Sequence, residues 1–181
     1  VTGVQTCALP IWAATDSGDV VHPGVSLAVG DIDLDGFPEV VTVDPSGHPM
    51  VFEHDGKLKW KSAAALMGGG VGWGGMSIAD LDQDGVPELI FGGSVLNNEG
   101  VLRWRGDTVG GFGQGGDGGN AAIATVADLD LDGSPEVVAG RSAYHADGTL
   151  YWNAAISDGF PGVANFDDDP NPEVVIVRSE E

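Results

Sequence analysis

The chain has 181 residues, of which 28 are acidic, 7 are basic and 30 are glycine, and its formal net charge is −21. So negative a charge argues against binding to nucleic acid or to an anionic membrane surface, because both need clustered lysine and arginine. The hydrophobic fraction of 42% argues against a disordered chain, and no apolar run is long enough to span a bilayer.

The first eleven residues, VTGVQTCALPI, resemble the translation of a common short-read sequencing adapter. We therefore predict that residues 1–11 are an adapter-derived artefact and that Cys7, the single cysteine, is foreign to the natural protein. We also expect the chain to be a piece of a longer protein.

An acidic motif then recurs four times, as DIDLDGFPEVV from Asp31, DLDQDGVPELI from Asp80, DLDLDGSPEVV from Asp128 and NFDDDPNPEVV from Asn165. The starting residues are 49, 48 and 37 positions apart, and periods of 20–50 residues are typical of solenoids, propellers and arrays. The four copies hold 16 of the 28 acidic residues, so most of the negative charge belongs to the repeat.

Each motif lies between two segments with strand character. Hydrophobic residues alternate before it, as in residues 25–30, and the runs VVTV, LIF, VVA and VVIV after it are typical of buried strands. A weaker strand follows, and then a turn and a strand that ends in Trp60, Trp104 or Trp152. Four short strands per period predict an all-β fold, a β-propeller fragment of about 3.5 four-stranded blades.

The period divides the chain into predicted units. The assignments are the end of a preceding blade or a linker over residues 12–24, blade 1 over 25–72, blade 2 over 73–120, blade 3 over 121–158 and a partial blade 4 over 159–181. The glycine-rich stretches 68–75 and 110–119 lack the Gly-Lys-Ser/Thr ending of a phosphate-binding loop, so we predict flexible connections between blades there.

The acidic motif places several like charges in one short loop, which is unfavourable unless a cation lies between them. Ca²⁺ takes 6–8 oxygen ligands, and the glycine at position six permits the positive φ of a tight turn. An EF-hand is excluded, because its glutamate position holds Thr42, Phe91 or Ala139. In the fourth copy Pro170 replaces the glycine, so both a Ca²⁺ site and a plain acidic turn stay open there.

The order of a strand, DxDxDGxPE and a β-branched strand resembles the FG-GAP/VCBS repeats, which form the propellers of integrin α subunits and of many bacterial extracellular proteins. The resemblance covers about residues 20–178 and implies one structural Ca²⁺ per blade between the first and second strands, with three sites stronger than the fourth. The implied ligands are Asp31, Asp33, Asp35, the Phe37 carbonyl and Glu39; Asp80, Asp82, Asp84, Val86 and Glu88; Asp128, Asp130, Asp132, Ser134 and Glu136; and Asn165, Asp167, Asp169, Asn171 and Glu173.

The resemblance implies a calcium-binding, non-catalytic module of a secreted or cell-surface protein that binds a protein or glycan ligand, for instance in adhesion. We expect a monomer with no membrane span in this stretch and no nucleic-acid partner. The histidines share no spacing, which indicates solvated loop residues: His22, His48, His54 and His145. The alternative is the propeller of a polysaccharide-degrading enzyme similar to pectin lyases, which would need a non-repeating cluster of basic side chains.

Overall fold

The computed structural model describes residues 20–66, 73–106 and 121–178. The predicted artefact over 1–11 and most of both glycine-rich stretches therefore lie outside the described residues. The regular secondary structure of the described ranges consists of β-strands, with no α-helix. None of the described residues forms a helix with the length and hydrophobicity needed to cross a membrane.

The strands of the described ranges are short, and we number them in chain order. They are β1 (Val25–Ser26), β2 (Ala28–Gly30), β3 (Glu39–Val43), β4 (Pro49–Phe52), β5 (Leu58–Lys61), β6 (Trp73–Gly75), β7 (Ser77–Ala79), β8 (Glu88–Phe91), β9 (Ser94–Leu96), β10 (Leu102–Arg105), β11 (Ala121–Ala122), β12 (Thr125–Ala127), β13 (Glu136–Ala139), β14 (Ser142–Tyr144), β15 (Leu150–Asn153), β16 (Phe160–Ala164) and β17 (Glu173–Val177).

The described strands form three four-stranded antiparallel sheets, in the orders β2-β3-β4-β5, β7-β8-β9-β10 and β12-β13-β14-β15, and a two-stranded sheet β16-β17. We call them sheets 1 to 4. In each sheet the strands that follow each other in sequence are paired, so every sheet is a meander. The predicted all-β fold with four strands per repeat is thus confirmed, whereas the ring and its number of blades stay predictions.

A fifth sheet joins the starts of three repeats. Its strands β1, β6 and β11 pair in parallel, with Val25 opposite Gly74 and Ala121 opposite Trp73. The prediction of a flexible connection was wrong for residues 73–75, which form β6. Glycine permits the close pairing, since a Cβ on Gly75 would lie 3.1 Å from the Ser26 Cβ.

The core lies between neighbouring sheets. The second and third strands of sheets 2 and 3 are buried along their whole length. One apolar cluster combines Val41 and Val51 of sheet 1 with Leu89 and Phe91 of sheet 2. A second cluster joins sheets 2 and 3 in the same way. Because each sheet covers its neighbour, stability depends on contacts between adjacent repeats.

The tryptophan of the fourth strand also ties each sheet to the next. Trp60 Nε1 donates to the Asn98 carbonyl at 3.1 Å, and Trp104 Nε1 donates to the Ala146 carbonyl at 2.9 Å. Each acceptor lies in the turn before the fourth strand of the next sheet. Both indoles are half-buried and pack against the core clusters, so they connect neighbouring sheets.

We predict that Gly100→Ala lowers the free energy of unfolding by about 2–4 kcal/mol. The glycine has a φ of 81°, and a Cβ there would lie 2.6 Å from the Trp60 ring. Urea denaturation in the presence of a calcium chelator measures the loss. The matched control is Gly36→Ala, whose φ is 93° but whose Cβ would meet nothing within 4 Å. Equal losses in the two variants would contradict the role of the Trp60 contact.

Asp44 organises the hairpin between β3 and β4. Its buried carboxylate accepts hydrogen bonds from the backbone amides of Ser46 and His48, both at 2.8 Å, and lies 2.7 Å from the Lys61 ammonium. Burial alone would raise the pKa of Asp44, but the Lys61 and backbone hydrogen bonds outweigh it and lower this pKa to about 2.

This shift predicts a pH dependence of stability. Because the folded pKa of Asp44 is depressed, its contribution is present above about pH 4 and is lost as the pH falls towards 2. At about 1.4 kcal/mol per pKa unit, the contribution is about 2 kcal/mol. Urea denaturation between pH 5 and 2.5 should therefore show a shallower loss of stability for Asp44→Asn than for the wild type.

The control for this prediction is Asp55→Asn, which removes a carboxylate from the exposed pair with Lys57. Exposed ion pairs contribute little, so its stability profile should follow that of the wild type. Parallel profiles for Asp44→Asn and the wild type would contradict the prediction.

Candidate metal centres

The acidic motifs form the loops between the first and second strands of the sheets, and we call them loops 1 to 4. In loop 1 the Asp31 carboxylate accepts the backbone amides of Asp35 at 3.1 Å and Gly36 at 2.9 Å. Asp80 and Asp128 make the same two bonds in loops 2 and 3. The first aspartate thus closes the loop around its own side chain.

The middle of each loop has an unusual backbone. Position four has a positive φ in loops 1 to 3, at Leu34 (64°), Gln83 (59°) and Leu131 (61°), and the position-six glycines have φ of 93°, 89° and 96°. A left-handed non-glycine residue costs about 1–2 kcal/mol. The position-two side chain is buried, as in Ile32, and therefore anchors the strained loop to the core.

A buried glutamate holds each loop from below. Glu39 begins β3, and its Oε2 accepts the Ile32 amide at 2.9 Å. Glu88 and Glu136 bind the amides of Leu81 and Leu129 at the same distance. These glutamates are no more than 4% exposed. Their carboxylates are fixed by the strand and by the loop at once.

Carboxylates from three motif positions converge in every loop. Oxygen atoms of Asp31, Asp33 and Glu39 lie within 4.8 Å of one another. The corresponding groups are Asp80, Asp82 and Glu88; Asp128, Asp130 and Glu136; and Asp167, Asp169 and Glu173. Positions one, three and nine of loops 1 to 3 are thus brought together as the sequence predicted.

The other predicted ligands are placed differently. The position-five carboxylates of Asp35, Asp84 and Asp132 are not part of these groups and accept the amides of Phe37, Val86 and Ser134 at 2.7–2.8 Å. The position-seven residues therefore contribute their amides to the loop. A role for their carbonyl oxygens and for the Asn171 carbonyl as ligands stays a prediction.

Loop 4 departs from the other three. The side-chain Nδ2 of Asn165 donates to the Asp169 carbonyl at 2.5 Å, and the group of carboxylates contains Asp169 in place of a first aspartate. None of the loop residues from 165 to 173 has a positive φ. Phe166 at position two is 63% exposed, so the apolar anchor of the other loops is missing. The glutamate bond is kept, from the Phe166 amide to Glu173 at 2.6 Å, and so is the bond from the position-seven amide of Asn171 to Asp169 at 2.7 Å.

Loop 1 fits a hard cation. The Oε1 atom of Glu39 is buried and has no hydrogen-bond partner, and burial raises the pKa of Glu39 in spite of the bond from Ile32. A buried, unpaired carboxylate oxygen is unfavourable. Because the group offers oxygen atoms only, its donor set suits Ca²⁺.

Basic side chains contact two of the loops. Lys59 Nζ lies 2.6 Å from Asp33, 2.7 Å from Glu53 and 3.9 Å from Glu39 Oε1. Its hydrogen bond lowers the pKa of Asp33, and the bonds to Asp33 and Glu53 raise the pKa of Lys59. Lys59 thus supplies one positive charge to loop 1 and also forms an ion pair with Glu53, outside the loop.

In loop 2 the guanidinium of Arg103 bridges two grouped carboxylates, at 2.7 Å from Asp82 and 2.5 Å from Glu88. In loop 3 the equivalent residue is Tyr151, and His145 Nδ1 lies 3.2 Å from Glu136 Oε1. Sequence reasoning missed these contacts. The signal was the residue before each tryptophan, which reads Lys, Arg and Tyr in LKW, LRW and LYW.

The remaining histidines do not converge on a site. His48 contacts Asp44, His54 stacks on Phe37 with ring centroids 4.4 Å apart, and the His22 ring accepts the Gly24 amide. Only His145 contacts a grouped carboxylate of the described loops.

The family model of the FG-GAP-like repeat matches residues 31–91. The match begins at the first aspartate of loop 1 and ends in β8, so it includes loops 1 and 2. It confirms the resemblance drawn from the acidic motif. No curated protein sequence matches the chain significantly.

Solved structures share the fold. The Vibrio cholerae biofilm matrix protein Bap1 is 25% identical, with a TM-score of 0.73 over 92% of this chain and 26% of its own. The exotype rhamnogalacturonan lyase YesX has 20% identity and a TM-score of 0.56 over 82% of this chain and 27% of its own. The Bacillus licheniformis rhamnogalacturonan lyase PL11 has 18% identity and a TM-score of 0.53 over 77% of this chain and 26% of its own.

The chain spans about a quarter of the length of each of these three proteins. Bap1 and the lyases therefore have the same repeat fold in a part of their length. For the two lyases, at 18–20% identity, the likeness concerns the fold alone.

We predict that Glu39→Gln raises the free energy of unfolding at pH 7 by about 1 kcal/mol in the presence of a chelator. The amide oxygen can still accept the Ile32 amide, and the variant no longer buries an unpaired charge. The gain should shrink as the pH falls, because protonation neutralises the wild-type carboxylate as well. Chemical denaturation measures both effects.

Glu39→Ala is the matched control, because it removes the acceptor of the Ile32 amide along with the charge. We expect it to lose about 1–3 kcal/mol. A Gln variant that is less stable than the wild type in chelator would contradict the idea that the charge of Glu39 is unfavourable without a cation.

Proposed function

We propose that the chain is a calcium-binding, non-catalytic β-propeller module of a secreted or cell-surface protein and that it binds a protein or carbohydrate ligand. One observation carries the proposal. Three loops repeat the same group of two aspartates and one buried glutamate within 4.8 Å, and in loop 1 a buried glutamate oxygen has no hydrogen-bond partner.

The aspartates at positions one and three and the glutamate at position nine are the residues that would hold the ion in each loop. Bound Ca²⁺ would supply the positive charge that balances these carboxylates. The chain contributes the rest through its own bonds. The glutamate ties position two to the second strand, and the first aspartate holds positions five and six. The role of the ion is therefore structural.

The way the sheets repeat supports the proposed propeller. Sheets 1, 2 and 3 share apolar clusters with their neighbours and are linked by the Trp60 and Trp104 hydrogen bonds. The likeness to Bap1 at a TM-score of 0.73 supports the same arrangement. Propellers have typically 4–8 blades, so the boundaries that we assign to blades 1 to 4 describe part of a ring.

The location and the binding role rest on two arguments. Extracellular calcium-binding modules commonly have dissociation constants of about 10⁻⁴–10⁻³ M, and such sites fill where calcium is millimolar. Bap1 is a biofilm matrix protein. By this analogy we propose a secreted or surface-attached monomer that binds a protein or glycan ligand and acts in adhesion.

The alternative is the propeller of a polysaccharide lyase, which the fold likeness to two rhamnogalacturonan lyases brings into consideration. Such an enzyme needs basic side chains that converge on a substrate. Here Lys61 contacts Asp44, Arg105 donates to the Ala65 carbonyl and Arg141 donates to the Ile156 carbonyl. These separate contacts favour the non-catalytic proposal. Release of unsaturated products from rhamnogalacturonan by the protein would overturn it.

We predict that about 10 mM Ca²⁺ stabilises the protein by about 1.4–2.7 kcal/mol for each filled loop, relative to chelator. This range follows from ligand linkage with the dissociation constants given above. Isothermal titration calorimetry should show binding heat, and thermal melting should shift upwards with calcium. The same concentration of Mg²⁺ should act more weakly, because Mg²⁺ dehydrates reluctantly and demands octahedral geometry.

The matched control is the triple variant Glu39→Gln, Glu88→Gln and Glu136→Gln, which keeps an acceptor for each position-two amide but removes one charge from each loop. It should melt at the same temperature with calcium and with chelator. Absence of calcium heat in the wild type, together with an unchanged melting temperature, would refute the proposed function.

A further inference from the structure

The three strong loops are not equal in charge. Each contains four carboxylates at positions one, three, five and nine, but the residue before the tryptophan of the fourth strand is Lys59, Arg103 or Tyr151. Arg103 reaches from β10 to loop 2 and contacts both Asp82 and Glu88. The Arg103 guanidinium joins the carboxylates of positions three and nine, as a bound cation would.

Loop 1 has a weaker version of the same contact. The Lys59 ammonium lies 2.6 Å from Asp33 but 3.9 Å from Glu39 Oε1, and it is shared with Glu53, which lies outside the loop. Because Lys59 is shared in this way, the negative charge of Glu53 offsets part of the positive charge that the lysine brings to Asp33. The Glu39 oxygen is left without a hydrogen bond, whereas the equivalent Glu88 oxygen receives one.

Loop 3 has no lysine or arginine at this position. Tyr151 is neutral, and its ring packs against His145 with centroids 4.9 Å apart. The His145 imidazole touches Glu136. Loop 3 therefore has no lysine or arginine at this position to oppose an added ion.

We propose that Arg103 acts as a built-in counter-cation of loop 2, so that the loops take up Ca²⁺ in the order 3, then 1, then 2. This inference rests on the proposed calcium binding and deepens it. A unit positive charge in contact with two ligands of a divalent ion opposes binding by roughly tenfold or more, even with the dielectric constant of water. Arg103 also keeps loop 2 folded without calcium, because it balances the buried Glu88.

The test uses variants that leave one of loops 1 to 3 intact, with loop 4 unchanged in all of them. Replacing two of the three glutamates by glutamine gives a loop 1 form (Glu88→Gln and Glu136→Gln), a loop 2 form (Glu39→Gln and Glu136→Gln) and a loop 3 form (Glu39→Gln and Glu88→Gln). Calorimetry with CaCl₂ at pH 8 should give the lowest dissociation constant for the loop 3 form and the highest for the loop 2 form. The two values should differ by roughly tenfold or more. Equal constants for these two forms would overturn the inference.

Two exchanges then assign the difference to the residue itself. Arg103→Gln in the loop 2 form should tighten calcium binding by roughly tenfold, and Tyr151→Arg in the loop 3 form should weaken it by a similar factor. The matched control is Arg105→Gln, two residues away on β10, where the side chain contacts Ser94 and the Ala65 carbonyl. Arg105→Gln should leave the calcium dissociation constants of the loop 2 and loop 3 forms unchanged. Arg103→Gln and Tyr151→Arg variants that bind like their parents would overturn the inference while calcium binding stands.

A measurement without calcium completes the test. In chelator, Arg103→Gln should lower the melting temperature more than Arg105→Gln, and adding Glu88→Gln should recover most of the loss, because no buried charge is then left unbalanced. Failure of the wild type to bind calcium would refute the proposed function. A normal calcium response of the wild type with no difference between the two arginine variants in chelator would refute only the role of Arg103.

Discussion

The hydrogen bond from the position-two amide to the buried glutamate of the second strand is the contact on which the repeat depends. Glu39 binds Ile32 at 2.9 Å, and the same bond recurs in sheets 2, 3 and 4, although the glutamate of sheet 4 is only half-buried. It fixes the strained loop to the core and places a carboxylate under the aspartates. Since burial of this carboxylate is unfavourable without a positive charge, the fold itself creates the need for a cation.

Neighbouring sheets pack against each other because a single repeat is too small to form a core of its own. A four-stranded meander cannot bury both of its faces, so Val41 and Leu89 share one cluster across the boundary between sheets 1 and 2. Trp60 crosses that boundary and requires a glycine at residue 100 beneath its ring. Each loop is therefore held in a sheet whose position depends on the next one. This coupling would spread local stabilisation at a loop along the array.

Sequence reasoning identified the strands that flank each loop, because VVTV and LIF have a strong β-branched or apolar signal and Asp-rich spacing repeats around them. Of the five ligands predicted for loop 1, the structure brings Asp31, Asp33 and Glu39 within 4.8 Å of one another. Sequence reasoning missed β6, because glycine carries no pattern of burial and the pairing partner is distant in sequence. It missed Arg103 for a related reason, since a long side chain reaches a loop 15–21 residues away.

Repetition makes the differences between copies informative. Position two is buried as Ile32 but exposed as Phe166, and loop 4 loses its positive φ along with that anchor. The residue before the tryptophan varies without harm to the strand, because its side chain leaves the core and points to the charge of the loop. Selection can therefore change the charge of one loop without disturbing the sheet below it. The 16 acidic residues of the motifs are in this way divided among loops that differ in how much of their charge the chain already balances.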